Sequence, residues 1–185
     1  LGTTAIAANL LGTNLTHLMY ALVGSFNLGI VTFVGQCMGA GEPEEAAMYT
    51  KHILKLDHFS ALIFAAILTP CTPFLASLFG LSAETTAMAV KIAVYYYMFS
   101  VLLYPESFAL PSALRGAGDT KFTMYVSVIS MFTLRIAVAY ILVYVFHLGI
   151  LSIWFAMFAN WLVRSAFFLL RFKQGRWKTL KVISK

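Results

Sequence analysis

Leu114-Arg115-Gly116-Ala117-Gly118-Asp119-Thr120-Lys121 is a short polar island between two long apolar runs. Gly116 and Gly118 suit a helix C-terminus that must turn with positive φ. Asp119 and Thr120 suit the start of the next helix, where a side-chain oxygen caps free backbone N–H groups. The stretch therefore reads as a tight helix-to-helix turn. A shorter echo, Gly39-Ala40-Gly41-Glu42, ends an earlier apolar run. Two matching turns predict an all-α chain of long antiparallel helices.

Working outward, the runs are long enough to cross a bilayer, which takes about 20 residues. Hydrophobic residues make up 61% of the chain and charged residues 11%, against about 25% charged in a soluble domain. We read five transmembrane helices, at about 8–38, 57–79, 86–113, 122–146 and 149–172, and a basic tail at 173–185. Gly39 to Lys55 reads as a linker with an amphipathic lead-in. Pro43 stands at a helix start, with Glu44 and Glu45 in its first turn. Pro70 and Pro73 are expected to kink the second span.

The net charge of +6 is placed for membrane topology, not for nucleic acid. Lys51, Lys55, Arg115, Lys121 and the tail (Arg171, Lys173, Arg176, Lys178, Lys181, Lys185) fall at one side of alternating spans. The opposite turns, Gly80–Thr85 and His147-Leu148-Gly149, carry no Lys or Arg. The positive-inside rule then places the C-terminus in the cytoplasm and Leu1 outside, with the tail against anionic membrane lipid. The chain is expected in the plasma (inner) membrane, as the C-terminal piece of something longer. Cys37 and Cys71 fall near opposite faces, too far apart for a disulfide, and read as small buried residues.

The first span is unusually polar. Asn9, Asn14, Asn27 and Gln36 are candidates to face a cavity, with Tyr96 of the third span, although interhelical hydrogen bonding explains the amides equally well. Gly24, Gly29 and Gly35 allow close helix contact. Glu106 is the carboxylate deepest in a span, an expensive placement. Pro105 removes the hydrogen bond to the Val101 carbonyl, and Pro111 does the same for Ser107. Glu106 is therefore an ion-coupling candidate, with structural pairing the alternative. Arg135 is its expected partner: at about 1.5 Å per residue the two lie about 12 and 20 Å deep. Lys91 and Arg164 are expected to snorkel or cap. His52 and His58 are six apart and do not share a helical face, so no metal site is expected. No nucleophile–base pair lies at matching depth, so the chain is not read as an enzyme.

At Ala113–Lys121 the sequence resembles the multidrug and toxic compound extrusion (MATE) family. Val34-Gly35-Gln36-Cys37-Met38-Gly39-Ala40-Gly41 followed by Glu44-Glu45-Ala46, Met131-Phe132-Thr133-Leu134-Arg135-Ile136, and Asn160-Trp161-Leu162-Val163-Arg164 with Arg171 and Gly175-Arg176-Trp177 agree in order and spacing. The resemblance implies the eighth to twelfth helices of a twelve-helix, two-lobe transporter, a partial C-terminal lobe across 1–185 lacking the N-terminal lobe of the same chain. It implies export of small organic compounds, often cationic or aromatic, in exchange for H⁺ or Na⁺, with no other cofactor. Some members carry an ion-coupling acid on the third span. Counting back from Leu114-Arg115-Gly116 puts that position nearer Tyr104 than Glu106, which makes Tyr104 a candidate too. Gly39, Gly41, Arg115, Gly116, Gly118 and Asp119 are assigned to the turns. Lipid-linked oligosaccharide flippases of the same superfamily and a non-transporting five-span partner protein remain as alternatives.

Overall fold

A computed structural model describes residues 3–147 and 149–180. Leu1, Leu148, and Lys181 and Lys185 of the basic tail lie outside the described residues. Among the described residues, five helices are long and apolar enough to cross a membrane: α1 (Thr3–Ala40), α2 (Pro43–Ser77), α3 (Ala83–Gly116), α4 (Thr120–Tyr144) and α5 (Leu151–Gln174). The fold is the expected polytopic helical bundle.

Helix α3 touches all four other helices, and α1 packs on α2 and along α3. Helix α1 has no proline, and its buried residues Leu11, Leu15, Met19, Val23, Ile30 and Val34 fall four or seven apart on one stripe. Two close approaches fix α1 against α3. A Cβ on Gly12 would sit 2.8 Å from Ile92 Cγ2, and one on Gly116 would sit 2.7 Å from the Val31 carbonyl oxygen. Gly35 faces the same Gly116 carbonyl at 3.7 Å, whereas nothing lies within 4 Å of Gly29.

The sequence echo is a geometric repeat. At the end of α1, Gly41 N–H donates to Met38 O and Glu42 N–H to Cys37 O. At the end of α3, Gly118 N–H donates to Arg115 O and Asp119 N–H to Leu114 O. Both are Schellman caps with a left-handed glycine, φ +80° at Gly41 and +88° at Gly118. The positive φ expected at Gly116 is therefore wrong: Gly116 is helical, like Gly39, and is small because α1 passes over it. Asp119 also departs from expectation. It stands at the N-cap position of α4 without a side-chain cap bond. Its carboxylate instead accepts from Arg171 of α5, Nε–Oδ2 at 2.7 Å and Nη2–Oδ1 at 3.2 Å. Arg115 is exposed and donates to Ser112 Oγ at 2.7 Å.

Helix α2 corrects the sequence reading: it starts at Pro43, so the supposed linker and the second span are one continuous helix, which extends to Ser77 with Pro70 and Pro73 inside it. That register buries Asp57 fully, in a row with Thr50, Leu54 and Ala61. Cys71 is exposed, not buried, and Cys37 is half-buried; both are free thiols.

Two helices change pitch in mid-span. Helix α3 passes through a π turn at Pro105–Ala109, and α4 through another at Met131–Arg135. Such turns widen the helix by one residue and re-aim the side chains they carry. Glu106 sits on the first and Arg135 on the second.

Candidate functional site

The break in α3 leaves carbonyls that neighbouring helices must satisfy. Pro105 cannot donate to Val101 O, and His58 of α2 takes that place, Nδ1 to O at 2.8 Å. Pro111 cannot donate to Ser107 O, and Arg164 of α5 takes that place, Nη2 to O at 3.0 Å. Ser107 Oγ donates to Trp161 O at 2.7 Å, and Ser165 Oγ lies 2.8 Å from Ser107 Oγ. Arg164 thus caps a carbonyl inside the bundle, its guanidinium 4.8 Å above the Phe108 ring.

The other ring nitrogen of His58, Nε2, lies 2.7 Å from Glu106 Oε1. The expected Glu106–Arg135 ion pair is therefore absent: Glu106 pairs with His58 of α2. The depth estimate neglected direction. Tyr104 and Phe108 stack and face one way, while Glu106, on the same π turn as Phe108, faces α2.

Tyr104 and Phe108 face a cavity of about 380 Å³ lined also by Asn9, Thr13, Thr16, His17, Tyr20, Tyr96, Arg135, Ile153, Trp154, Met157 and Trp161. The walls interlock edge-to-face: Tyr96 and Trp161 at 5.6 Å between centroids, Phe108 and Trp161 at 5.3 Å. Tyr104 and Phe108 stack at 4.6 Å. Trp154 Nε1 donates to Asn9 Oδ1 at 3.0 Å, fixing the amide of α1 to the indole of α5. Arg135 lines this cavity and, on its other side, an apolar recess with Met131, Phe132, Tyr140 and Tyr144.

Of the five substrate-cavity candidates, Asn9 and Tyr96 line the cavity. Asn27 does not: its Nδ2 donates to Tyr104 Oη at 3.3 Å, from behind the wall. Asn14 and Gln36 lie on exposed faces of α1. The cavity stripe of α1 is Asn9, Thr13, Thr16, His17 and Tyr20, and Asn14 is one residue off it. Of the three coupling candidates, Tyr104 and Arg135 are on the cavity and Glu106 is behind it. Tyr97 is buried and donates to Leu15 O at 3.1 Å, and Tyr95 packs outside on Phe155.

Sequence reading missed Asp57, His58, Trp154, Trp161 and Phe108. The signal for His58 was present in Pro105, whose orphaned carbonyl demanded a donor. The signal for the tryptophans was their seven-residue spacing, which puts both on one face of α5. Among the described residues, no group of three or more His, Cys, Asp or Glu could hold a metal ion.

Fold and cavity together define a polytopic membrane bundle with an aromatic, half-open pocket between its helices. The MatE family profile matches residues 1–141, and the chain belongs to this family. It is 27% identical, over its whole length, to a probable multidrug resistance protein NorM of Thermotoga maritima, and spans 39% of that protein. It is 22% identical to multidrug and toxin extrusion protein 1 of Rattus norvegicus, over 96% of this chain and 31% of that one. The crystal structure of the eukaryotic MATE transporter AtDTX14 shares its fold, with a TM-score of 0.84 at 19% identity, over 95% of this chain and 39% of that one. The chain thus spans well under half the length of the relatives it matches.

Proposed function

We propose that this chain is one lobe of a secondary-active antiporter that exports small organic compounds, aromatic ones above all, in exchange for inward H⁺ or Na⁺. The observation that carries this reading is the cavity: tyrosine, tryptophan and phenylalanine faces beside Asn9, Thr13 and Arg135, open on one side, within a membrane bundle. Aromatic walls bind flat apolar ligands by stacking, and a few polar groups orient them. In this reading a second lobe, contributed by the further length that the relatives have, closes the pocket. The chain works as a transporter and not as an enzyme. Its basic end, with Arg115, Lys121 and the start of the tail, faces the cytoplasm and anionic lipid of the plasma (inner) membrane.

Expression of the full-length protein in bacteria stripped of their own exporters tests this reading. Ethidium accumulation should fall relative to the empty vector and recover when ion gradients are collapsed. Accumulation equal to the empty vector would refute it. The flippase alternative requires a cavity for pyrophosphate, and the lining here offers one arginine and one histidine.

A further inference from the structure

Behind the cavity wall, between α2 and α3, lies a cluster the pocket does not use: Asp57, His58 and Glu106. We propose that this cluster is a proton-binding site, and that its proton decides whether the break in α3 is clamped. The inference rests on the antiporter reading and assigns its coupling ion and the residues that hold it.

Proton bookkeeping follows from hydrogen-bond geometry. A carbonyl only accepts, so His58 Nδ1 must carry the hydrogen of the 2.8 Å bond to Val101 O. The 2.7 Å line from Nε2 to Glu106 Oε1 also needs one hydrogen. It sits on Nε2, giving imidazolium and carboxylate, or on Oε1, giving neutral imidazole and carboxylic acid. Either way the pair holds that proton and is neutral overall. When it leaves, the neutral imidazole has a single N–H and two acceptors to serve. It keeps Val101 O and abandons Glu106, or changes tautomer, keeps Glu106, and releases Val101 O.

The surroundings make that choice consequential. Asp57 is fully buried, and neither of its carboxylate oxygens has a hydrogen-bond partner; Glu106 Oε2 is likewise unpartnered. Unpaired negative charge in such a place is costly, so two ionised carboxylates side by side are disfavoured and one proton taken up relieves the site. The titratable neighbours are few. Asp57 adjoins His58 on α2, Glu106 and Tyr104 come from α3, and α5 brings Arg164 to the Ser107 carbonyl. Helix α1 has no Asp, Glu, Lys or Arg.

Val101 O is the carbonyl that Pro105 leaves without a donor, three residues from Tyr104, and Phe108 lies within the π turn. Both aromatic rings form the cavity wall. Loss of the proton therefore loosens the hinge that holds Tyr104 and Phe108, and proton uptake resets it. Site and cavity are joined through one backbone segment without sharing a residue.

The test uses the full-length protein in proteoliposomes with ethidium as the probe, comparing it with Glu106→Gln and His58→Gln. Two rates are measured: ethidium accumulation driven by a pH gradient, and ethidium–ethidium counterflow at symmetric pH. The ratio of gradient-driven to counterflow rate should fall roughly tenfold or more in each variant, and its dependence on pH should flatten. Infrared difference spectra on raising the pH should show loss of an imidazolium or a protonated-carboxyl band in the unmodified protein, a change that Glu106→Gln and His58→Gln alter. An unchanged ratio with unchanged imidazole and carboxyl bands would overturn the proton site while leaving the transporter reading intact. Absence of both fluxes in the unmodified protein would overturn both readings. If a variant fails to fold, the infrared spectrum of the unmodified protein still decides: no imidazole or carboxyl change between pH 5 and 9 contradicts the proposal.

Discussion

At the scale of single residues, the clearest lesson is that two glycines in matching sequence positions do different work. Gly39 and Gly116 hold the same place in their Schellman caps, yet nothing lies within 4 Å of a Cβ on Gly39 while one on Gly116 meets the Val31 backbone. Gly39→Ala should be neutral or stabilise by up to about 1 kcal/mol, the helix-propensity gain. Gly116→Ala should destabilise by about 1 to 3 kcal/mol, since backbone cannot step aside as a flexible side chain can. Thermal unfolding of the two variants in detergent distinguishes them, and equal midpoints would contradict the close crossing. The turns themselves were legible in the sequence because a Schellman cap needs a glycine at one fixed position. Which glycine of each pair it was, and why the other is small, depended on a helix that passes overhead and leaves no local trace.

At the scale of helices, the break in α3 organises its neighbours. Two prolines were visible as helix breakers, and the carbonyls they free were correctly named as Val101 and Ser107. Their partners were not visible, because His58 and Arg164 come from helices 43 and 57 residues away. Asp57 was hidden for a related reason: read as the first residue of a span it belongs to the interface, but the helix starts fourteen residues earlier and buries it. Pro105→Ala restores an N–H for Val101 O and so removes the need for His58 Nδ1. The stability lost in His58→Gln should then shrink when Pro105→Ala is added, by about 1 kcal/mol, the net worth of one hydrogen bond. Simple additivity in that double-mutant cycle would contradict the clamp. Arg171→Ala should lower stability by about 2 kcal/mol through loss of the charge-assisted pair with Asp119, read from the same melts.

At the scale of the whole molecule, span number and membrane class were legible because apolar runs and basic turns are local signals. The cavity was only partly legible. Asn9 and Tyr96 were identified by type, whereas Trp154 and Trp161 gained meaning only when α5 was seen to pack on α3, with Trp154 reaching Asn9 of α1. The charge placement predicts the orientation, and impermeant thiol labelling checks it on a background with Cys37 and Cys71 replaced by serine. Lys121→Cys should react only after the membrane is opened, and Ser82→Cys in intact cells; the reverse pattern would invert the bundle. The central claim, that the aromatic cavity is a binding pocket, is tested most directly by tryptophan fluorescence of the purified full-length protein titrated with ethidium. Emission from Trp154 and Trp161 should quench saturably, and replacing both with phenylalanine should abolish the quench while the buried Trp177 still emits. A quench that never saturates, or that survives in the double variant, would contradict it.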